Sequence, residues 1–484
     1  MIFKPDTNHF NIILMKTKEQ KIRMSFKTAF IFSMIMWLFN YTAKADAAAD
    51  RAYILSKLKF YYVVNPNTSN ASSLLSLSAN ASDARDVFGG NALMDSMKVF
   101  LKCLLNDRAH GGDEIFQFAV KEILKIREKD IAMFMYNDAV PLNAFATSTW
   151  VNCTQNGYVW PCARNSTSST TTGGASYFGK IHIGRYFLSA VTRTDGKFIF
   201  LHELTHTQDM SQFDWHAFYI NSQPYKYGSD NIHFYHEAIP SMSNAFKEGI
   251  ANAFAYQFQR PSNSTAPDLA SWFTPTRRII VEQTVPTPAP SPGANPDIWL
   301  YSQLQAAGVT PVSTGGGYAT YTLSQLPPRI LIHNEMIVAN IVSAYMFNIS
   351  FQRVIRAFKT YNLGSASVFS GNGNLQTMMT VLCQAGLPES MRAQSFPSCA
   401  SMPDRKEYLL PLAYADYFTG FSATSLAEFN QLFDNGMNMD LIQCYWNNRT
   451  AVRNAATAPS VRNFTQASTE IAIALGINSS IMEH

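Results

Sequence analysis

Apolar residues fall at helical spacing through most of this chain and alternate in only a few stretches. Residues 92–105 and 113–136 carry apolar positions every three to four residues, which predicts a helical region over 46–146. Between them, residues 106–112 (Asn-Asp-Arg-Ala-His-Gly-Gly) read as a turn, with His110 a loop histidine. From residue 147 to 191 the texture changes to strand and loop. Within 179–188, Ile181 and Ile183 alternate against Lys180 and His182, which predicts a strand. Residues 165–174 are polar and of low complexity, so a mobile loop is expected there. Thr194-Asp195-Gly196 offers a helix N-cap before the apolar run at 198–201. Residues 244–256 read as a further helix. The span 261–326 is rich in Pro, Ser and Thr and is expected to be a linker or surface excursion. Beyond residue 327 helical spacing returns over 330–361, 376–384, 409–418, 426–433, 439–446 and 464–475. The expected fold is therefore α+β and predominantly helical. A core over 147–260 carries a small sheet, between helical lobes at 46–146 and 327–484.

The chemistry concentrates in His202-Glu203-Leu204-Thr205-His206. On a helix, residues four apart share a face, so His202 and His206 can present two imidazoles to one metal ion. Glu203, one residue on, is placed to take a proton from metal-bound water. Catalytic zinc takes three protein ligands and leaves a position open. The candidate third ligand is Glu248. Read as a helix, 244–256 puts Glu248, Ala251, Asn252 and Ala255 on one face, and Phe246, Ile250, Phe254 and Phe258 on the others. Gly249 and the alanines would let this helix approach the His202–His206 helix closely. Asn252, one turn after Glu248, is placed to hydrogen-bond a metal ligand from behind.

H-E-x-x-H followed some tens of residues later by Glu248-Gly249-Ile250-Ala251 resembles the gluzincin group of zinc metallopeptidases, which includes thermolysin and the alanyl-type aminopeptidases. The likeness covers residues 179–259. It implies a zincin-like catalytic core, His202, His206 and Glu248 as zinc ligands, and Glu203 as general base. It also implies that an extended strand beside the metal helix holds the substrate backbone by strand addition, for which 179–188 is the candidate, with an ordinary core strand as the equal alternative. Two features depart from the pattern. The gap from His206 to Glu248 is longer than in compact members, and the aminopeptidases' substrate-anchoring motif is absent. The metzincin layout fits worse, because it needs Gly and His where the chain has Asp209 and Gln212. Rival third ligands lie in the intervening segment: His216, Asp230, His233, His236 and Glu237. That segment is rich in aromatics and histidine, and a Tyr or His within it could hydrogen-bond a developing oxyanion, with aromatic packing against the cleft as the alternative. His333 and Glu335, in the first helix of the C-terminal lobe, are read as core or surface residues, with reach to the site as the alternative.

Lys16, Lys18, Lys21, Arg23 and Lys27 precede an apolar stretch at 29–39, and Ala43-Lys44-Ala45 follows as a small-x-small cleavage pattern. Residues 1–45 thus read as a signal peptide cleaved after Ala45, for a secreted, extracellular or periplasmic protein with no stable membrane span afterwards. This segment holds seven Lys/Arg and two Asp/Glu. Taking them from the chain's 38 and 34 leaves 31 and 32, so the net charge moves from +4 to −1. That removes any electrostatic case for nucleic acid. All six cysteines follow the signal, as suits disulfides in an exported chain. Cys153–Cys162 and Cys383–Cys399 bracket turn-rich loops and are the expected pairs, which leaves Cys103–Cys444 by elimination. Sequons such as those at Asn67, Asn165 and Asn448 would matter only in a glycosylating host.

The resulting expectation is a secreted metallopeptidase that acts on protein or peptide substrates with Zn2+ as cofactor. The competing expectation is a catalytically inactive zincin-like binding or structural protein of the cell exterior.

Overall fold

The computed structural model describes residues 49–63, 72–74, 114–126, 128, 130–136, 154–155, 158–159, 162–172, 175–183, 194–208, 235–239, 242–258, 275–283, 300–348, 354, 375–387, 399, 406–419, 425–433 and 437–456. They are mostly helical with small sheets. Among them no helix is long and apolar enough to cross a membrane. The expected signal segment and the helices over 92–105 and 464–475 lie outside the described residues.

Helix α1 (49–57) leads into strand β1 (Leu58–Val63), followed by β2 (Ser72–Leu74), helix α2 (Glu114–Leu124) and β3 (Ile131–Tyr136). The N-terminal region expected to be helical throughout therefore supplies strands as well. β1 and β3 pair in parallel, Leu58 opposite Ile131 and Phe60 opposite Met133. These residues and Ala132 are all buried. A parallel strand covered on both faces reads as an unbroken apolar run, which periodicity does not separate from a buried helix.

After the short hairpin β4 (Thr154–Gln155) and β5 (Tyr158–Val159), the chain forms β6 (Cys162–Thr172) and β7 (Ala175–Ile183). The sheet order is β2-β1-β3-β7-β6. β7 is parallel to β3 and antiparallel to β6. Two sequence expectations change here. The polar stretch from Asn165 is mostly strand β6, with a register shift between Asn165 and Thr170. The alternating run at 179–183 lies in an interior strand with both edges paired, so it is the core strand of the two readings and has no edge to offer a substrate. The edges of this sheet among the described residues are β6 and the short β2.

Helix α3 (Thr194–Thr207) packs against β6, β7, α2 and α4 (Met242–Phe258). It starts at Thr194, so Asp195 falls in its first turn. Phe116 of α2 meets Phe200 of α3 edge-on, with centroids 5.7 Å apart. The span expected to be a linker is structured in part. β8 (Arg278–Glu282), α5 (Leu300–Ala306), β9 (Ser313–Gly315) and β10 (Tyr318–Thr322) include a three-stranded antiparallel sheet ordered β8-β10-β9. Alternate residues Ile279, Val281, Ala319 and Tyr321 are buried on its inner face, enough apolar area to outweigh a turn-rich composition.

The C-terminal region is helical: α6 (Pro328–Leu331), α7 (Glu335–Asn348), α8 (Leu375–Ala385), α9 (Leu410–Phe418), α10 (Leu426–Gln431) and α11 (Met439–Ala456). Every residue from Glu335 to Met346 is buried, which makes α7 the central core helix. Cys399 is bonded to Cys444, and Cys383 is a free, buried thiol. This corrects the expected Cys383–Cys399 and Cys103–Cys444 pairs, because loop spacing alone does not fix connectivity. Cys153 and Cys103 lie outside the described residues.

Candidate metal centre

α3 and α4 run antiparallel, and three contacts step along them one turn at a time. Phe198 meets Tyr256 edge-on at 4.7 Å between centroids. His202 Nδ1 lies 2.9 Å from Asn252 Oδ1. His206 Nε2 lies 3.1 Å from Glu248 Oε2. Each rung moves four residues forward on α3 and four back on α4, the spacing of one helix face. The aromatic rung closes the interior end of the ladder, and the polar rungs build the site.

His202 Nε2 is 3.0 Å from His206 Nε2 and 3.1 Å from Glu248 Oε2, so the three atoms form a nearly equilateral triangle. An ion bound tetrahedrally at about 2.0–2.1 Å spaces its ligand atoms about 3.3 Å apart, so the triangle matches one face of such a site. The proton bookkeeping agrees. Asn252 Oδ1 is an acceptor, so His202 Nδ1 carries the hydrogen and Nε2 presents a lone pair to the carboxylate oxygen. Lone pairs converging at this distance are reconciled by a shared proton or a cation. Among the described residues, His202, His206 and Glu248 are the one group of three such side chains that can hold a metal ion. The two histidine side chains keep 12 % exposure and Glu248 7 %, so the triangle is sheltered. Glu203 follows His202 on α3 and is half-buried.

Gly249 explains how α4 is held. A Cβ there would overlap Val338 and stand 2.7 Å from the Glu335 carbonyl oxygen. The close approach is thus to α7, not to α3 as the sequence suggested. The glycine notch fixes the residue next to Glu248 against the core helix.

Of the rival ligands, His236 and Glu237 belong to the segment 235–239 and do not join the metal group. Glu237 bridges Ile280 of β8, and the backbone exchanges Ile280 N–H to His236 O and Ala238 N–H to Ile280 O. His216, Asp230 and His233 lie outside the described residues. Tyr235, in the same segment, is a residue that sequence reasoning did not single out. Burial, then the carboxylates of Glu335, Glu248 and Glu203, hold its phenol above the ordinary range. Its backbone carbonyl accepts from Asn334, which caps the helix whose Glu335 carbonyl abuts Gly249, so the segment lies beside the helix turn that carries Glu248. One aromatic among many in a His- and Tyr-rich segment carries no periodic signal that could have picked it out. His333 and Glu335 are both buried and bear on this segment from the start of α7.

Comparison with protein-family models, with curated protein sequences and with solved structures finds no match. The functional reading rests on the geometry of the site itself.

Proposed function

We propose that this protein is an exported zinc metallopeptidase of gluzincin type, with Glu203 as general base. The observation that carries the reading is the triangle of His202 Nε2, His206 Nε2 and Glu248 Oε2, with Glu203 on the same helix as both histidines. Two imidazoles and one carboxylate suit zinc, and a set of three protein ligands suits a catalytic site, which keeps a fourth position for water, more than a four-ligand structural one. Bound there, the ion supplies a Lewis acid that polarises a carbonyl and acidifies water.

The chain's own residues do the rest. Asn252 fixes the His202 ring and its tautomer. Glu203 accepts a proton from the attacking water and delivers it to the leaving amine nitrogen. Tyr235 donates its phenolic hydrogen to the oxygen that gains negative charge. The zincin-like core is supported by a mixed five-stranded sheet against the metal helix, with antiparallel β6 at the edge beside α3. The backbone of an extended peptide would add to β6. Export is supported by the signal-like residues 1–45 and by the Cys399–Cys444 bond, which suits an oxidising compartment.

The test is metal content together with hydrolysis of a denatured generic protein, comparing wild type with Glu203→Gln. The expected outcome is one zinc in each protein and a fall in activity of about 10²–10⁴-fold in the variant. Equal activity in both would remove Glu203 from the mechanism. No metal in either would sink the whole reading.

A further inference from the structure

Asn334 makes four hydrogen bonds from a fully enclosed position between two segments. Its Nδ2 donates to the backbone carbonyls of Tyr235 (3.0 Å) and Glu237 (2.9 Å). Its Oδ1 accepts from the N–H groups of Met336 (2.9 Å) and Ile337 (3.2 Å), which caps α7. The neighbouring His333 extends the seam: Ile239 N–H donates to its carbonyl at 2.8 Å, and its Nδ1 lies 2.9 Å from the Ile239 carbonyl. One side chain therefore does two jobs. It starts the helix whose first turn seats Gly249, next to the ligand Glu248, and it pins the strand-like segment that carries Tyr235. All four hydrogen-bonding sites of a primary amide are used, two donors and two acceptances, and neither an acid nor a hydroxyl can reproduce that set.

We propose that Asn334 is a positioning residue of the metal centre, locking the Tyr235 segment to the helix that backs Glu248. The proposal rests on the metal-centre reading above and extends it to a residue outside the H-E-x-x-H and Glu248 signals. Asn334 touches no reacting atom. Its effect is to fix Tyr235 relative to the ligands, so the bound oxygen and its donor meet without reorganisation.

The probe is acetohydroxamate, a small metal-chelating anion whose affinity is read by calorimetry on the zinc-loaded protein and requires no peptide hydrolysis. Asn334→Ser keeps a capping oxygen and loses both clamp donors. Asn334→Asp keeps the shape and the cap while turning the donors into an acceptor, and it serves if the serine variant does not fold. Either variant is expected to retain one zinc and to bind acetohydroxamate about 10–100-fold more weakly. Tyr235→Phe should weaken it comparably, and the double variant should lose no more than the worse single one. Amide hydrogen exchange over 235–239 should quicken in the Asn334 variant while the α7 amides stay protected. Unchanged affinity or fully additive losses would overturn the proposal. So would loss of the zinc itself, which would make Asn334 a folding residue of the ligand set. If wild type binds no zinc, the metal-centre reading fails separately. Exchange over 235–239 then decides the clamp alone: quickened in the variant if it stands, unchanged if it does not.

Discussion

At the scale of single residues, the tautomer of His202 depends on one amide. Asn252 Oδ1 holds the Nδ1 hydrogen and so leaves Nε2 free to face Glu248 and His206. Replacing Asn252 by Leu removes the acceptor at similar volume. Zinc affinity, measured by competition with a chelator, is expected to fall about 10–100-fold with circular dichroism unchanged. A second residue-scale consequence concerns pH. Burial, and then Cys383 nearby, raise the Tyr408 phenol from its ordinary 10.0 to about 12. The folded protein therefore holds this proton more tightly than the unfolded chain. The resulting stability is fully present below pH 10 and is lost as pH rises through about 12. Tyr408→Phe should flatten the decline of unfolding free energy between those values, and an equally steep decline would show that other groups carry it. The Cys383 thiol is raised as well, by burial above all. It should resist iodoacetamide in the folded protein at pH 8 and react once the chain is denatured.

At the scale of elements, α4 is placed by its glycine. Gly249→Ala pushes a methyl group into Val338 and the Glu335 carbonyl, and is expected to cost about 1–3 kcal/mol in denaturant unfolding. Because Glu248 is the adjacent residue, zinc affinity should fall in parallel, whereas a purely local cost would leave it intact. Here the reach of sequence reading is plain. His202, His206, Glu248 and Asn252 share faces through helical periodicity, a local property that a pattern exposes. β1 and β3 were hidden because interior parallel strands lack alternation. β8 and β10 were hidden because Pro, Ser and Thr around them outweighed the alternating Ile279 and Val281. The partner of Gly249, the disulfide pairing and the Asn334 clamp are contacts across 89, 45 and 99 positions of sequence. Nothing local encodes them.

At the scale of the whole molecule, the C-terminal helices are tied by a buried charge. Asp416 is wholly enclosed, accepts from Tyr445 Oη at 2.6 Å, and takes Arg449 Nε and Nη2 at 2.9 and 3.0 Å. Arg453 Nη1 stands 3.8 Å away, and the Arg449 guanidinium also covers Trp446. Arg449→Met would leave the carboxylate buried and short of its main counter-charge, at a cost of about 3 kcal/mol in unfolding free energy. Since this cluster joins α9 to α11 while the metal ligands stand on α3 and α4, zinc affinity in the folded variant should match wild type. The rungs between α3 and α4 carry one more consequence. They recur every turn, so by themselves they do not choose a register: a slide of about 5.4 Å would set Asn252 against His206 and leave both helices well formed but the triangle unmade. The glycine notch lies off the ladder, against a third helix, and serves as the index mark on a repeating scale. A ruler with evenly spaced divisions measures nothing until one of them is labelled zero.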